Sequence, residues 1–288
     1  MPELTFGLKP ALQFNTVEAL RRMWALADEG GFDSCWVFDH FAALGPDRTG
    51  DIFEAWTMLA AMAQATRRVR IGTMVTGNSH RHPGMLAKMA VTVDHLSGGR
   101  LEMGLGAGGD ELVHSMFGLR LGSVRERIDS LAEACQVIKL LWSQPTTSFS
   151  GQHYHLDEAL ANPKPVQRPH PPLWLAGSGE RYSLRVIAEH ADVWINASQP
   201  GTPPEELARL SGVLDRHCAD IGRDPAAIRR AAQLRLPADP DEAVRTVEHH
   251  VRVGFTEIII MVFEGGPAGI AAAESAVDLL PELRALAQ

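Results

Sequence analysis

The sequence has few cysteines, and none of them are paired in a motif. Cys35, Cys135 and Cys218 are the three cysteines among 288 residues, and no C-x-x-C spacing occurs. Disulfide scaffolds and paired-thiol metal or redox sites need closer or more numerous cysteines. We therefore expect three reduced cysteines inside a cytoplasmic protein.

Long apolar runs and blocks of like charge are also missing. No segment approaches the roughly 18 consecutive apolar residues of a membrane span, and the first residues lack the basic and apolar regions of a secretory signal. The formal net charge is −8, from 27 basic and 35 acidic side chains. Nucleic-acid binders normally carry a basic excess, and membrane-surface proteins carry basic clusters. We therefore expect neither nucleic acid nor membrane as a partner.

Short apolar segments alternate with longer amphipathic ones. Eight segments resemble buried strands, and helical periodicity separates them, as in 16–31 and 125–142. This alternation predicts an α/β fold, a (β/α)₈ TIM barrel forming a single domain over residues 1–288. A doubly wound open sheet is the alternative. The strand-like segments are 4–8, 34–39, 69–76, 101–107, 173–177, 191–197, 229–236 and 257–263.

One stretch, residues 143–172, interrupts this alternation. It contains six prolines and shows no helical periodicity. Connections of this length are uncommon inside compact domains and are often functional. We interpret it as an insertion after the fourth helix.

Gly104, Gly106 and Gly109 spell G-x-G-x-x-G, the fingerprint of dinucleotide-binding folds. That fingerprint opens a βαβ unit, whereas here it follows a strand in mid-chain. In a barrel, the loops after the strands build the site. Two interpretations stay open: a tight turn that needs positive φ, or a backbone held close to a flat ring.

Four longer segments occur in the order found in a known family. They are GFDSCWVFDHF (31–41), RIGTMVTGNSHRHPGMLAKMAVTVDHLSGGRLEMGLGAGG (70–109), RERIDSLAEACQVIKLLW (125–142) and PKPVQRPHPPLWLAGSGE (163–180). Together they resemble the luciferase-like monooxygenase superfamily, and within it the branch that uses the deazaflavin coenzyme F420. The resemblance is close over residues 1–200 and extends only to layout beyond them. It implies a bacterial luciferase-like barrel.

The resemblance implies that Asp39 and His40, after the second strand, lie beside the deazaflavin. An imidazole with an unperturbed pKa of about 6.5 suits proton transfer near neutral pH. We therefore predict that His40 is catalytic; a plain strand-end role is the alternative.

The other residues implied to bind the cofactor follow later strands. After the third strand, the family has a bulge often built around a non-proline cis peptide, here at Met74–Val75 or an adjacent bond. After the fifth strand, a helix N-terminus is predicted to bind the cofactor phosphate through free N–H groups, and capping by Ser178 is compatible with this role. The predicted cofactor-binding residues are Asp39, Met74, Val75, Thr76, Gly106, Ala107, Gly108, Gly177, Ser178 and Gly179.

The chain departs from the family at Gly109. Sugar-phosphate dehydrogenases of the family carry a glutamate there as a proton donor. Asp110 and Glu111 are the neighbouring acids. Each fits either a substitute donor or a solvent-facing acid at a helix N-terminus.

Lysine is scarce where the sugar-phosphate enzymes bind phosphate. The chain has Lys9, Lys88, Lys139 and Lys164, none after the fifth strand, so a sugar-phosphate substrate is disfavoured.

Other residues suggest a partly apolar pocket under a lid, suited to a small organic carbonyl, alkene or alcohol. They are His153, Tyr154 and His155 in the insertion, with Trp194 and Asn196 at the end of the sixth strand. A metal-dependent hydrolase would carry His-x-His on its first strand. That strand has no histidine, so no metal site is expected.

Three hypotheses follow. The first is an F420-dependent oxidoreductase that transfers a hydride to or from a small organic substrate without monooxygenation. The second is an FMN-dependent monooxygenase with a separate reductase, and the third is a non-catalytic flavin-binding barrel.

Family members are commonly dimers, which implies a homodimer.

Overall fold

A computed structural model describes residues 3–196 and 202–287. The strands are β1 (Thr5–Pro10), β2 (Ser34–Val37), β3 (Arg70–Thr73), β4 (Thr76–Gly77), β5 (Leu101–Gly106), β6 (Thr147–Ser150), β7 (His155–Ala159), β8 (Leu173–Ala176), β9 (Val193–Asn196), β10 (Arg229–Leu234) and β11 (Glu257–Val262). The helices are α1 (Val17–Glu29), α2 (Ala55–Ala65), α3 (Pro83–Ser97), α4 (Glu111–Met116), α5 (Val124–Ser143), α6 (Ser183–His190), α7 (Pro204–Asp220), α8 (Pro240–Arg252) and α9 (Gly266–Ala285).

Parallel strands close into a barrel. Their order is β3-β2-β1-β11-β10-β9-β8-β5, and β5 pairs back with β3 through Ile71–Leu101 and Gly72–Glu102. Each barrel strand is followed by a helix, so the predicted (β/α)₈ TIM barrel is confirmed. The open-sheet alternative is wrong because the pairing of β3 with β5 leaves no sheet edge there.

Each of the eight predicted strands corresponds to a barrel strand, although the bounds differ. The predicted segment 69–76 is divided into β3 and β4, with a cis peptide bond between Met74 and Val75. The predicted segment 191–197 is observed as β9, and residue 197 lies outside the described residues.

The two periodic segments are observed as α1 and α5. Thr16 caps α1 by accepting a hydrogen bond from the Ala19 amide, and α5 begins with a capping box formed by Ser123 and Glu126. Such caps satisfy backbone donors that have no partner inside the helix. None of the helices within 3–196 and 202–287 is long and apolar enough to cross a membrane.

The barrel interior contains two tryptophans in contact. The rings of Trp36 and Trp174 are 4.5 Å apart, edge to face. Gly7 and Gly72 make room for Trp36: a Cβ at either residue would lie less than 3.0 Å from its indole ring, at 2.7 and 2.6 Å. Large aromatics packed against glycine fill the interior, so the barrel is closed below its carboxyl end. The interior cluster is Trp36, Met74, Trp174, Val193, Ile195, Ala231 and Ile259.

The predicted insertion, 143–172, has no helix beyond the last residue of α5, but it contains an antiparallel hairpin of β6 and β7 that was not predicted. The Glu133 carboxylate of α5 accepts the backbone N–H groups of Gln152, His153 and Tyr154 at 2.7 to 3.1 Å. These bonds attach the hairpin turn to α5.

The cysteines are unpaired and buried. Burial raises the pKa of the Cys35 and Cys135 thiols to about 12. A thiol with so high a pKa is not a nucleophile at neutral pH, so these two side chains act as small core residues.

Candidate active site

A cavity of about 490 Å³ opens at the carboxyl ends of the barrel strands, the end where TIM barrels carry their sites. Its volume falls within the range of cofactor and ligand pockets. Seven of the predicted site residues line it: Asp39, His40, Val75, Gly106, Ala107, Gly108 and Gly177.

Two predicted residues after the third strand do not reach this cavity. Met74 is packed in the barrel interior below it. Thr76 is fully buried, and its hydroxyl accepts a hydrogen bond from Trp56 Nε1 at 2.9 Å. Because α2 engages the hydroxyl, Thr76 does not line the cavity, and its cofactor-binding role stays a prediction.

The Gly177–Gly179 segment differs from the prediction in a similar way. Gly177 lines the cavity, but Ser178 and Gly179 do not. Helix α6 begins only at Ser183, after a turn, and its first residues are not capped by Ser178. A Cβ at Gly177 would lie 2.9 Å from Ser183 Cβ, so this glycine permits the close approach of β8 to the start of α6.

Asp39 is a buried ion-pair partner at the cavity wall. Its carboxylate binds both terminal nitrogens of Arg81, with Nη2 at 3.1 Å from Oδ1, and Arg81 also binds Glu54 at 2.6 Å. Burial alone would raise the pKa of Asp39, but the nearby His80 and Arg81 outweigh it and lower the pKa. Asp39 is therefore ionised, and Arg81 holds its carboxylate in place.

His40 lies beside Asp39, with its side chain 32% exposed and Nδ1 4.0 Å from Asp110 Oδ2. Burial and then the charge of Lys9 lower the pKa of His40 to about 4. The imidazole is therefore neutral at pH 7, whereas an imidazole with an unperturbed pKa would titrate near that pH. A neutral imidazole can accept a proton, and the nearby carboxylate stabilises the imidazolium that results.

Asp110 lines the cavity. One interpretation of the sequence had placed it as a solvent-facing acid at a helix N-terminus. It caps α4 by accepting the Val113 amide at 3.1 Å, and it pairs with Arg48 Nη2 at 2.5 Å. Burial alone would raise the pKa of Asp110, but the Arg48 and Val113 bonds outweigh it and lower the pKa. Glu111 is exposed, as expected. The interpretation of Asp110 as a solvent-facing acid is wrong because Arg48, on a long loop after β2, covers it.

The glycines of β5 and its loop form a wall without side chains. A Cβ at Gly104 would lie 1.8 Å from the Thr73 carbonyl oxygen, and one at Gly106 would lie 3.1 Å from Val75 Cγ2. Gly108 has φ +78°, a left-handed conformation that favours glycine. The tight-turn interpretation therefore holds at Gly108, Gly104 lets β5 approach β3 closely, and the backbone held close to a flat ring stays a prediction.

Sequence reasoning missed several residues that line the cavity, among them His80 and Arg127. His80 follows β4 in a short 3₁₀ helix, and Arg127 of α5 donates to the Gly108 carbonyl oxygen at 2.8 Å. His80 begins the sequence His-Arg-His-Pro, and only the structure shows that it lies at the cavity wall.

The insertion does not cover this cavity. His153 and Tyr154 line a separate cavity of about 260 Å³, and His155 is exposed on β7. Trp194 packs outside the barrel against Phe255, with its rings 5.4 Å apart. The predicted lid over an apolar pocket is therefore wrong for these residues.

A TIM barrel with a glycine-walled cavity and a neutral imidazole at its mouth is the architecture of cofactor-binding barrel enzymes. The chain belongs to the luciferase-like monooxygenase family, whose family model matches residues 5–276. The resemblance noted in the sequence is thereby confirmed.

Several curated relatives are named as F420-dependent enzymes. The chain is 30% identical over 232 residues to the F420-dependent hydroxymycolic acid dehydrogenase of Mycobacterium tuberculosis, covering 80% of this chain but only 62% of the relative. It is 29% identical over 240 residues to the F420-dependent glucose-6-phosphate dehydrogenase of Microbacterium testaceum, covering 83% and 69%. The chain thus spans somewhat less than two thirds of the first relative's length.

Solved structures share the fold at lower identity. An F420-dependent secondary alcohol dehydrogenase in complex with an F420-acetone adduct superposes with a TM-score of 0.86 at 20% identity, over 98% of this chain and 99% of that one. The long-chain alkane monooxygenase LadA gives 0.70 at 16% identity, over 96% and 72%. These likenesses extend the fold assignment to the whole barrel.

Proposed function

We propose that this chain is an F420-dependent oxidoreductase that interconverts a small organic alcohol and its carbonyl compound. The observation that carries the proposal is the neutral His40 imidazole, which lies at a glycine-walled cavity beside the Asp110 carboxylate. Relatives named as F420-dependent dehydrogenases support this choice within the family.

The cavity fits a flat ring system with a phosphate-bearing tail. Gly106 and Gly108 leave the wall free of side chains next to Val75, which suits a ring lying against backbone. Gly177 and Ser183 lie where β8 approaches α6, the place we assign to the phosphate. When bound, F420 supplies two-electron hydride transfer at its C5 carbon.

His40 supplies the proton transfer in this proposal. In the oxidation direction its neutral imidazole accepts the hydroxyl proton of the alcohol as the carbonyl forms. Asp110, ionised and fixed by Arg48, then lies 4.0 Å from the imidazolium and stabilises its charge. In the reduction direction the same imidazolium returns the proton.

The substrate we propose carries no phosphate. Among the four lysines, Lys139 and Lys164 donate to backbone carbonyl oxygens, as does Lys88, and Lys9 is buried. No lysine is therefore available to grip a phosphate at the cavity mouth. We also propose that the enzyme is a cytoplasmic homodimer; a mass measured by light scattering during gel filtration tests the dimer.

Paired fluorescence titrations with oxidised F420 and with FMN test the cofactor. We expect F420 to bind and FMN to bind much more weakly. Preference for FMN would instead favour a monooxygenase with a separate reductase. F420 binding without any hydride exchange across a screen of alcohols and ketones would favour a non-catalytic barrel.

We predict that His40→Ala folds and binds F420 but lowers turnover about 100- to 10,000-fold, the usual contribution of general acid–base catalysis. The measurement is steady-state F420 reduction with the alcohol that turns over best in the screen. His155→Ala, at an exposed histidine on β7, is the matched control. Full activity of the His40 variant would remove this residue from the mechanism.

A further inference from the structure

His80 is a buried imidazole at the cavity wall that the proposed mechanism leaves unused. Its side chain is 6% exposed, and it lines the same cavity as His40. The ring packs against Phe41, with centroids 4.6 Å apart, and against His114, at 5.5 Å. These contacts fix the ring plane.

The two ring nitrogens of His80 face different surroundings. Nδ1 is fully buried and makes no hydrogen bond within the described residues, and Asp39 Oδ2 lies 3.6 Å from it. Nε2 lies next to Gly77, a cavity residue, where an added Cβ would be 3.0 Å away. The Asp39 carboxylate therefore lies near Nδ1, and Gly77, which has no side chain, lies beside Nε2.

Resting on the proposed function, we propose that His80 carries the second proton of the reaction, a role for which position 109 of this chain offers only a glycine. Oxidation of R₂CHOH breaks the C–H and O–H bonds and forms C=O. Bound F420 would accept the hydride, and His40 would accept the hydroxyl proton. The fully reduced coenzyme holds one proton besides the hydride. His80 Nε2 supplies it, and the solvent restores both histidines.

Asp110 is less suited to this role, although it is adjacent to Gly109. Its carboxylate accepts bonds from Arg48 and from the Val113 amide, and its lowered pKa keeps it ionised at neutral pH. A carboxylate without a proton cannot donate one. His80, in contrast, has an ionised carboxylate 3.6 Å away that favours its protonated form.

The charges around His80 oppose one another. Asp39 favours the imidazolium, whereas the Arg81 guanidinium, paired with the same carboxylate, disfavours it. The other titratable neighbours are His40, which lines the same cavity, and His114, whose tilted ring is centred 5.5 Å from that of His80. A ligand atom that accepts a hydrogen bond from Nε2 therefore adds the interaction that favours the protonated His80 ring.

The test is the pH dependence of oxidised F420 binding between pH 6 and 9, measured with wild-type protein, His80→Phe and His155→Phe. His80→Phe keeps the ring packing and removes both nitrogens; His155→Phe changes an exposed histidine. We expect the wild-type Kd to rise about tenfold, or about 1.4 kcal/mol, between pH 6 and pH 9, because the proposal requires a protonated His80 ring in the complex. The His155 variant follows the wild type, and the His80 variant loses this slope.

Nitrogen NMR of the histidine rings gives an activity-independent readout. In wild-type protein saturated with oxidised F420 at pH 7, the ring signals that His80→Phe removes should show both nitrogens protonated. If circular dichroism shows that His80→Phe misfolds, His80→Asn replaces it. An unchanged slope, or a neutral His80 ring in the complex, overturns this inference alone. Failure of the wild type to bind F420 overturns the proposed function and this inference with it.

Discussion

Lys9 is a buried cation without a carboxylate partner in the described part of the chain. It lies on β1, its ammonium donates to Gln233 Oε1 at 2.8 Å, and the Phe38 ring centre is 5.7 Å away. Burial lowers the pKa of Lys9 to about 7. The remaining charge also helps to keep His40 neutral. One buried residue thus sets the protonation state of another.

We predict that Lys9→Met stabilises the protein at pH 7 by about 1–4 kcal/mol, the usual gain when apolar groups replace buried charge. In the wild type, the unfolded lysine keeps its proton up to about pH 10.5, whereas the folded one loses it near pH 7. Wild-type stability therefore rises with pH over this window, and the advantage of the variant shrinks. Urea denaturation at pH 7 and pH 9.5 measures both effects. If Lys9→Met stabilised the protein equally at pH 7 and pH 9.5, the lowered pKa assigned to Lys9 would be contradicted.

Single residues of the site could be predicted only in part. His40 and Asp39 were found because they follow a strand that has a recognisable position in the family. His80 was missed because a 3₁₀ helix decides where its side chain points. Thr76 was misplaced because its partner, Trp56, comes from a helix whose contacts no local pattern reveals.

At the scale of elements, the hairpin of β6 and β7 shows where sequence patterns fail. Its strands carry mostly exposed polar residues, so alternation gives little signal. The barrel strands, in contrast, are mostly buried, and their short apolar segments were located correctly. A contact distant in sequence fixes the hairpin: the Glu133 carboxylate of α5 accepts a hydrogen bond from the Gln152 amide in its turn.

We predict that Glu133→Ala loosens this hairpin and lowers stability by about 1–3 kcal/mol, because three backbone N–H groups lose their acceptor. Asp157→Ala, at an exposed position on β7, is the control. Limited proteolysis followed by mass spectrometry should show faster cleavage near residues 151–154 in the Glu133 variant alone. Equal cleavage of the two variants would show that the turn is held by other contacts.

At the scale of the whole molecule, a ligand that binds the folded barrel also stabilises it. We predict that F420 at about 100 times its Kd raises the free energy of unfolding by about 2.7 kcal/mol and Tm by several degrees. Differential scanning fluorimetry with F420, FMN and no cofactor measures this. An increase with FMN alone would overturn the cofactor assignment.

The whole fold was easier to predict than the site. Eight strand-like segments separated by helical ones leave few topologies other than a barrel. The site depends on loops of irregular length, and Arg48 shows the difficulty. It fixes Asp110 beside His40 from 62 residues away along the chain, and no periodicity marks it.

The packing of Trp36 between Gly7 and Gly72 makes these three positions evolve together. A larger residue at either glycine overlaps the indole ring, and a smaller residue at position 36 leaves a void beneath the cavity. Each single change is therefore costly, while paired changes that conserve volume are tolerated. Among barrels descended from the same ancestor, the identities at positions 7, 36 and 72 should be exchanged as a set.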